Sequence, residues 1–102
     1  MSEAVLRLLG LGLRARRVVV GVSGTRSELQ AGKVSCVVLA ADATQRTLEK
    51  VDRPARAKGI PVLLGPVADA LGAALGRPPV QAVGVKDPAL ARGLIAASAS
   101  EE

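Results

Sequence analysis

Four short, valine-rich apolar runs, separated by segments with helical character, constrain this chain more than any other feature. They are Val18–Val20, Cys36–Ala40, Ile60–Leu64 and Val80–Val85. Runs of this length and composition read as short buried strands. The segments between them carry helix signals. Val5, Leu8, Leu9, Gly12 and Leu13 share one helical face, which predicts a helix over about Glu3–Arg14. A basic corner follows it, made of Arg14, Arg16 and Arg17. A second helix is expected from about Gly24 to Ala31, with Gly32 as its stop. Thr44 is a good N-cap for a third, running to about Lys58 with Leu48, Val51 and Ala55 inward. Gly65-Pro66 opens a fourth, to about Leu75, and Gly76-Arg77-Pro78-Pro79 makes a tight loop. Asp87-Pro88 starts a last helix, to about Ala97. Helices alternating with short apolar strands make an α/β layered fold. We expect a single domain over residues 1–97 and a frayed tail at 98–102, with no repeat and no linker.

The core must be unusual. Hydrophobic residues make up 49% of the 102, yet Phe, Tyr and Trp are absent. It is therefore built from Val, Leu, Ala and a little Ile. With no His in the chain, histidine acid–base catalysis and histidine metal ligation are excluded. The lone Cys36 lies in an apolar run, has no internal disulfide partner and reads as a buried structural thiol, which fits a reducing, cytoplasmic setting. No apolar run reaches the roughly 18 residues of a membrane span. The start, MSEAVLRLLGLGLRARR, has some character of a targeting segment, but Glu3 and Arg7 interrupt it and no clear cleavage site follows. It reads as the first helix.

Charge is distributed unevenly. Residues 1–60 carry 11 basic and 5 acidic side chains, a net +6, and residues 61–102 carry 3 and 4, a net −1. A basic half on a small domain suggests a polyanion partner; a merely solvated basic surface is the plain alternative.

Few motifs carry chemistry. GLGLRA, Gly10 to Ala15, matches G-x-G-x-x-A, but a dinucleotide fingerprint must follow a strand and open a helix, and here a helical pattern precedes it. GVSGTR lacks the Gly-Lys-Ser/Thr spacing of a Walker loop. Asp42, Asp52, Asp69 and Asp87 are scattered, and Asp42 and Asp87 suit capping. Ser23, Ser27 and Ser35 have no His to activate them, so no catalytic residue is assigned. No metal site and no cofactor are expected.

What remains is the start of the second helix beside the basic corner. The first N–H groups of a helix are unpaired and its dipole is positive there. Gly21 and Gly24 would let another backbone approach closely, and Ser23 and Thr25 offer hydroxyls. Arg16, Arg17 and Arg26 add charge within a few residues of chain. Together these describe a site for a phosphate backbone. Thr25 and Glu28 also form a T-x-x-E capping box, a reading that needs no ligand but leaves the arginines unexplained.

In order and spacing, the chain resembles the kink-turn RNA-binding ribosomal protein L-seven-Ae family, and most closely its bacterial YlxQ-like branch. The matching pieces are LLGLGLRARRVVVG (8–21), the 11-residue step from Gly21 to Gly32, VVLAADAT (37–44), KGIPV (58–62), ALGAALGR (70–77) and VQAVGVKD (80–87), within about residues 4–95. The resemblance implies a three-layer α-β-α sandwich with a four-stranded mixed sheet, RNA as partner and no enzymatic activity. It also implies a reading set, Asn-Glu-x-x-Lys, at the start of the second helix. Counted from Gly21, that set falls on Ser23, Gly24 and Ser27, so all three members are replaced. The acidic residue of the family's A-E-D turn is Ala41, and the loop before the last strand is shortened to Gly76–Pro79. Each good bidentate base contact is worth about 1–3 kcal/mol of discrimination, so kink-turn specificity should be weakened or lost. Phosphate contacts from Arg14, Arg16, Arg17, Arg26, Lys33 and Arg77 can still hold structured RNA, ribosomal or other. Stacking on aromatic side chains is impossible here, and arginine planes are the remaining platform.

Two other readings stay open. One is a protein-interaction module of the same fold that no longer binds RNA, suggested by the erased reading set and the nearly uncharged stretch Ile60–Leu75. The other is a small enzyme or nucleotide binder, which rests on GLGLRA and GVSGT. Arg46, Lys50 and Arg53 share one helical face, interleaved with Glu49 and Asp52, and read as a solvated face with at most an accessory phosphate role. A cytoplasmic monomer without membrane contact is expected.

Overall fold

The computed structural model describes residues 1–100. Its four strands are β1 (Val18–Val20), β2 (Cys36–Leu39), β3 (Val62–Leu64) and β4 (Ala82–Val85). They form one sheet in the order β1-β4-β2-β3. β4 pairs antiparallel with both β1 and β2, while β2 and β3 run parallel. The sheet is therefore mixed, as expected. Each strand is one or two residues shorter than its apolar run, except β1, because the outer residues turn into loops.

Among the described residues there are five helices: α1 (Glu3–Arg14), α2 (Val22–Gln30), α3, α4 (Ala68–Ala74) and α5 (Pro88–Ala99). The third, α3, is composite. It begins as α-helix at Gln45–Thr47, widens into a π-turn at Leu48–Asp52 and returns to α-helix at Arg53–Ala57. Pro54 supplies the physical reason. It has no N–H to offer the Lys50 carbonyl, and its ring crowds that turn, so the helix opens ahead of it. The backbone N–H of Arg53 donates instead to the carbonyl of Leu48, five residues back. Residue spacing read Thr44 to Lys58 as one uninterrupted helix and missed this.

Strand alternation sorts the core into two clusters, one on each face of the sheet. Cys36, Val38, Val83 and Val85 face Val5 and Leu9 of α1, Leu71 of α4 and Leu94 of α5. Val37, Leu39 and Ala82 face Leu29 of α2 and Val51 and Ala55 of α3. The result is a three-layer α-β-α sandwich whose core is aliphatic apart from Cys36 and the buried Thr25 and Thr47.

Caps account for most helix boundaries. Ser2, Thr44 and Asp87 accept hydrogen bonds from the N–H groups of Val5, Thr47 and Leu90. Gly32, Gly59 and Gly76 take left-handed φ values of 73, 71 and 67° just past three helices. α5 extends beyond the expected end at Ala97, to Ala99, with Ser100 as its C-cap. The expected frayed tail is thus helical over its first two positions, and its final positions, 101 and 102, lie outside the described residues.

The sheet has two ends, and they organise everything that follows. At the upper end the N–H of Gly21 donates to the Ala82 carbonyl, that of Ala40 to Gln81 and that of Gly65 to Leu39. At the lower end the N–H of Lys86 donates to the Arg17 carbonyl, that of Ser35 to Val85 and that of Val37 to Pro61.

Candidate nucleic-acid interface

α2 begins at Val22, two residues before the expected Gly24. Its N-cap is Gly21, at φ 103° and ψ 160°, and no side chain caps it. This φ suits glycine, because a Cβ would be strained there. The early start changes the roles of several residues. Thr25 is not a cap: it is fully buried, packed over Gly84, and its Oγ1 has no hydrogen-bond partner. The Thr25–Glu28 capping box therefore does not form; both residues lie in the body of the helix. Gly24 also faces inward, since a Cβ there would stand 2.6 Å from Val19 Cγ2. It allows α2 to settle on β1 rather than opening room for a ligand.

The exposed face of α2 is what remains accessible. Ser23, Arg26, Ser27 and Gln30 line an open cleft of about 360 Å³, and its far wall is Lys50, from the π-turn of α3. Residue spacing had placed Lys50 in a solvated stripe with Arg46 and Arg53. The structure separates it from them and sets it beside Arg26. This lining has two cations, two hydroxyls and an amide, with no carboxylate. It suits a phosphate backbone.

The upper end is held rigidly behind this cleft. Gln81 Oε1 accepts from the backbone N–H of Thr44 at 3.0 Å and from the hydroxyl of Thr47 at 2.7 Å. Asp42 caps not its own neighbouring helix but α4, accepting from the N–H of Ala68 at 2.7 Å. Arg77 lies in the loop that returns to this end, where the N–H of Val80 donates to the Ala68 carbonyl.

The basic corner is elsewhere. Arg17 and Gly21 are separated by the whole of β1, four steps of about 3.3 Å each. Arg14, Arg16 and Arg17 therefore sit at the lower end of the sheet, with Lys33 after the C-terminus of α2. The single site expected from the sequence is two. Gly21, Ser23, Gly24, Thr25, Arg26 and Ser27 belong to the upper end or the body of α2, and Arg77 lies past the C-terminus of α4, outside the α2 cleft. Arg14, Arg16, Arg17 and Lys33 belong to the opposite end, joined there by Lys86, which spacing did not single out. Three residues of strand in an extended conformation were the available signal, because they place adjacent sequence motifs at opposite ends of the sheet.

Arg17 is also engaged. Its Nη1 donates to Asp87 Oδ2 at 2.8 Å, and Asp87 caps α5 at the same time. Partial desolvation opposes ionisation of Asp87, but the Arg17 hydrogen bond and charge and the Leu90 and Ala89 N–H groups outweigh it, so its carboxyl is held below the ordinary value. Cys36 is fully buried, and burial pushes its thiol up to about 12. GLGLRA spans the last turns of α1, with no strand before it and no helix opened by it.

The sequence matches the model of the Ribosomal protein L7Ae/L30e/S12e/Gadd45 family over residues 3–95. No curated protein matches it. Among solved structures, the chain is similar to a protein with unknown function from Bacillus halodurans, at 33% identity and a TM-score of 0.88, covering 96% of this chain and 99% of that one. It also resembles a Giardia lamblia 15.5kD RNA binding protein, at 22% identity and a TM-score of 0.72, covering 94% and 82%. At that lower identity the likeness concerns the fold. The family match spans every strand and all but the last turn of α5, so the chain belongs to the ribosomal protein L7Ae/L30e/S12e/Gadd45 family.

Proposed function

We propose that this chain is a non-enzymatic RNA-binding protein that holds structured RNA by its phosphates and has weakened or lost kink-turn specificity. One observation carries the reading. The cleft along α2 presents Ser23, Arg26, Ser27, Gln30 and Lys50, a lining that grips an anionic backbone but has no carboxylate or base-reading amide at positions 23, 24 and 27. Membership of a ribosomal protein family, and RNA binding by a Giardia protein of the same fold, support RNA as the partner. The free N–H groups at the start of α2 add donors of the right polarity. Gly24 makes simple recovery of a reader costly, because any side chain there must displace Val19. The reading makes the protein a cytoplasmic component, bound to ribosomal or other structured RNA as a monomer.

The test is a titration of a kink-turn duplex and a plain duplex of equal length across several salt concentrations, using wild type and Arg26→Glu/Lys50→Glu. Equal binding of both RNAs, with a shallower salt slope in the variant, is the expected outcome. A clear kink-turn preference in the wild type would refute the loss of specificity.

A second reading, a protein-interaction module, draws on a different observation. Leu64 on the edge strand β3 is 69% exposed and lines an open groove of about 550 Å³ with Met1, Val62, Leu63, Ile95, Ser98 and Ala99. Absence of binding to either RNA at low salt, together with self-association lost in Leu64→Lys, would favour it.

A further inference from the structure

Unpaired positive charge also gathers at the end opposite α2's N-terminus. Arg14, Arg16 and Lys33 are exposed and Lys86 is half-buried; among the described residues none of the four has an ion pair or a side-chain hydrogen bond. Arg17, 58% exposed, shares Asp87 with the α5 cap. In the last segment of α3, Arg56 pairs with Asp52 at 2.8 Å and Lys58 Nζ donates to the Leu29 carbonyl at 2.6 Å, while Arg53 is exposed. At this end the carboxylates of Asp87 and Asp52 are taken up by Arg17 and Arg56, which leaves Arg14, Arg16, Lys33 and Lys86 without a neutralising partner. Three helices, α1, α2 and α3, end at the lower face, and their dipoles account for a cation at each C-terminus. They do not account for a cluster of five. Nor do they account for Arg16, which holds a left-handed φ of 60° in the position that glycine fills after three other helices.

Building on the RNA-binding reading, we infer that Arg14, Arg16, Arg17, Lys33 and Lys86 form a second, separate RNA-backbone surface, so that one protein bridges two RNA segments. The molecule measures 28 × 27 × 26 Å, and surfaces at its opposite ends address two segments rather than one continuous groove. The chemistry favours phosphates of RNA over a lipid surface. An interfacial anchor needs several apolar or aromatic side chains beside the cations; the chain has no Phe, Tyr or Trp, and of the large exposed hydrophobics among the described residues α1 carries Leu11 alone.

The experiment uses two short RNA duplexes, one carrying a donor fluorophore and one an acceptor, and three proteins. These are wild type, the lower-end variant Arg14→Gln/Arg16→Gly/Lys33→Gln/Lys86→Gln and the upper-end variant Arg26→Gln/Lys50→Gln, each checked by circular dichroism melting. Wild type should bring the duplexes together, giving energy transfer that either variant abolishes while still binding one duplex. In the lower-end variant, the slope of log affinity against log salt should fall by about 3–4, at roughly 0.9 per phosphate released. A folded lower-end variant with wild-type slope and wild-type bridging would overturn the second surface and leave the α2 cleft standing. Wild type that binds no RNA at low salt would overturn both readings together. Lower-end-dependent binding to phosphatidylserine vesicles, with RNA binding unchanged, would reassign the patch to a membrane surface and overturn the proposal.

Discussion

Replacing Arg16 with glycine should stabilise the protein. Four helices here end in the same way. After α2 the N–H of Lys33 reaches the Glu28 carbonyl and that of Gly32 reaches Leu29. After α3 the N–H of Ile60 reaches Ala55, and after α4 that of Arg77 reaches Gly72. α1 repeats the pattern, with the N–H of Arg17 on Gly12 at 2.8 Å and that of Arg16 on Leu13 at 3.0 Å. The residue in the left-handed position is Gly32, Gly59 and Gly76 in the first three cases and Arg16 in the fourth. A side chain in that conformation costs about 1–2 kcal/mol through the clash of its Cβ with the backbone. Glycine removes the clash but adds about 0.4–1 kcal/mol of unfolded-state entropy. The net gain for Arg16→Gly is about 0.5–1 kcal/mol. Lost attraction between the guanidinium and the α1 dipole offsets relieved repulsion from Arg14 and Arg17, and both are small in water. For a domain of this size the gain corresponds to a rise in Tm of roughly 3–6 °C. Thermal and urea unfolding at fixed salt will measure it. A lower midpoint would refute the argument, because Arg16 would then contribute more through its side chain than its backbone costs. RNA affinity should fall in the same variant, which separates the stability role of position 16 from its charge.

Gly72→Ala should be among the most damaging single substitutions, because the new Cβ would stand 2.2 Å from the Pro78 carbonyl oxygen and the rigid Pro78-Pro79 loop must move. We expect a loss of about 2–3 kcal/mol in urea unfolding, in the range of overpacked cores. Asp87→Asn should lower Tm at neutral pH by removing the charge that pairs with Arg17 and favours the start of α5. Asp87 ionises more readily folded than unfolded, so its contribution is complete above its ordinary value of 3.8 and disappears as pH falls through the lower folded value. The Tm difference between wild type and variant should therefore shrink in acid, and a pH-independent difference would contradict the ion pair. Cys36 should react with a thiol reagent no faster than the protein unfolds, because its thiol is fully buried and shifted up to about 12. Rapid native labelling would show that β2 opens.

Much of the architecture could be read from local chemistry. Thr44 and Asp87 cap the helices they were expected to cap, and Gly32 stops α2 as expected; Gly59 and Gly76, not singled out as stops, end α3 and α4 in the same left-handed way. These signals are legible because a cap or a left-handed turn depends on the few residues that form it. The start of α2 was misread for the opposite reason. Thr25-x-x-Glu28 satisfies the local pattern of a capping box, but burial of Thr25 against Gly84 and of Leu29 in the core draws the helix back to Val22. Tertiary packing decided between two local patterns of similar quality. The π-turn had a visible cause in Pro54, yet its consequence, Lys50 in the α2 cleft, depends on how two helices lie side by side.

By itself, then, the sequence determined the α/β class, the order of helices and strands, the aliphatic core, and the absence of the family's reading side chains at Ser23, Gly24 and Ser27. Each of these follows from residue type and short-range periodicity. Tertiary structure decided where the charges meet. Arg17 and Gly21 are neighbours in sequence, but a three-residue strand points them to opposite ends of the sheet, while Lys33, Lys86 and Arg16, far apart in the chain, are gathered at one end. An extended strand moves the chain by about 3.3 Å per residue, and antiparallel pairing and crossover helices bring distant segments back beside it. Charge proximity therefore depends on sheet topology, which no local pattern of residues contains.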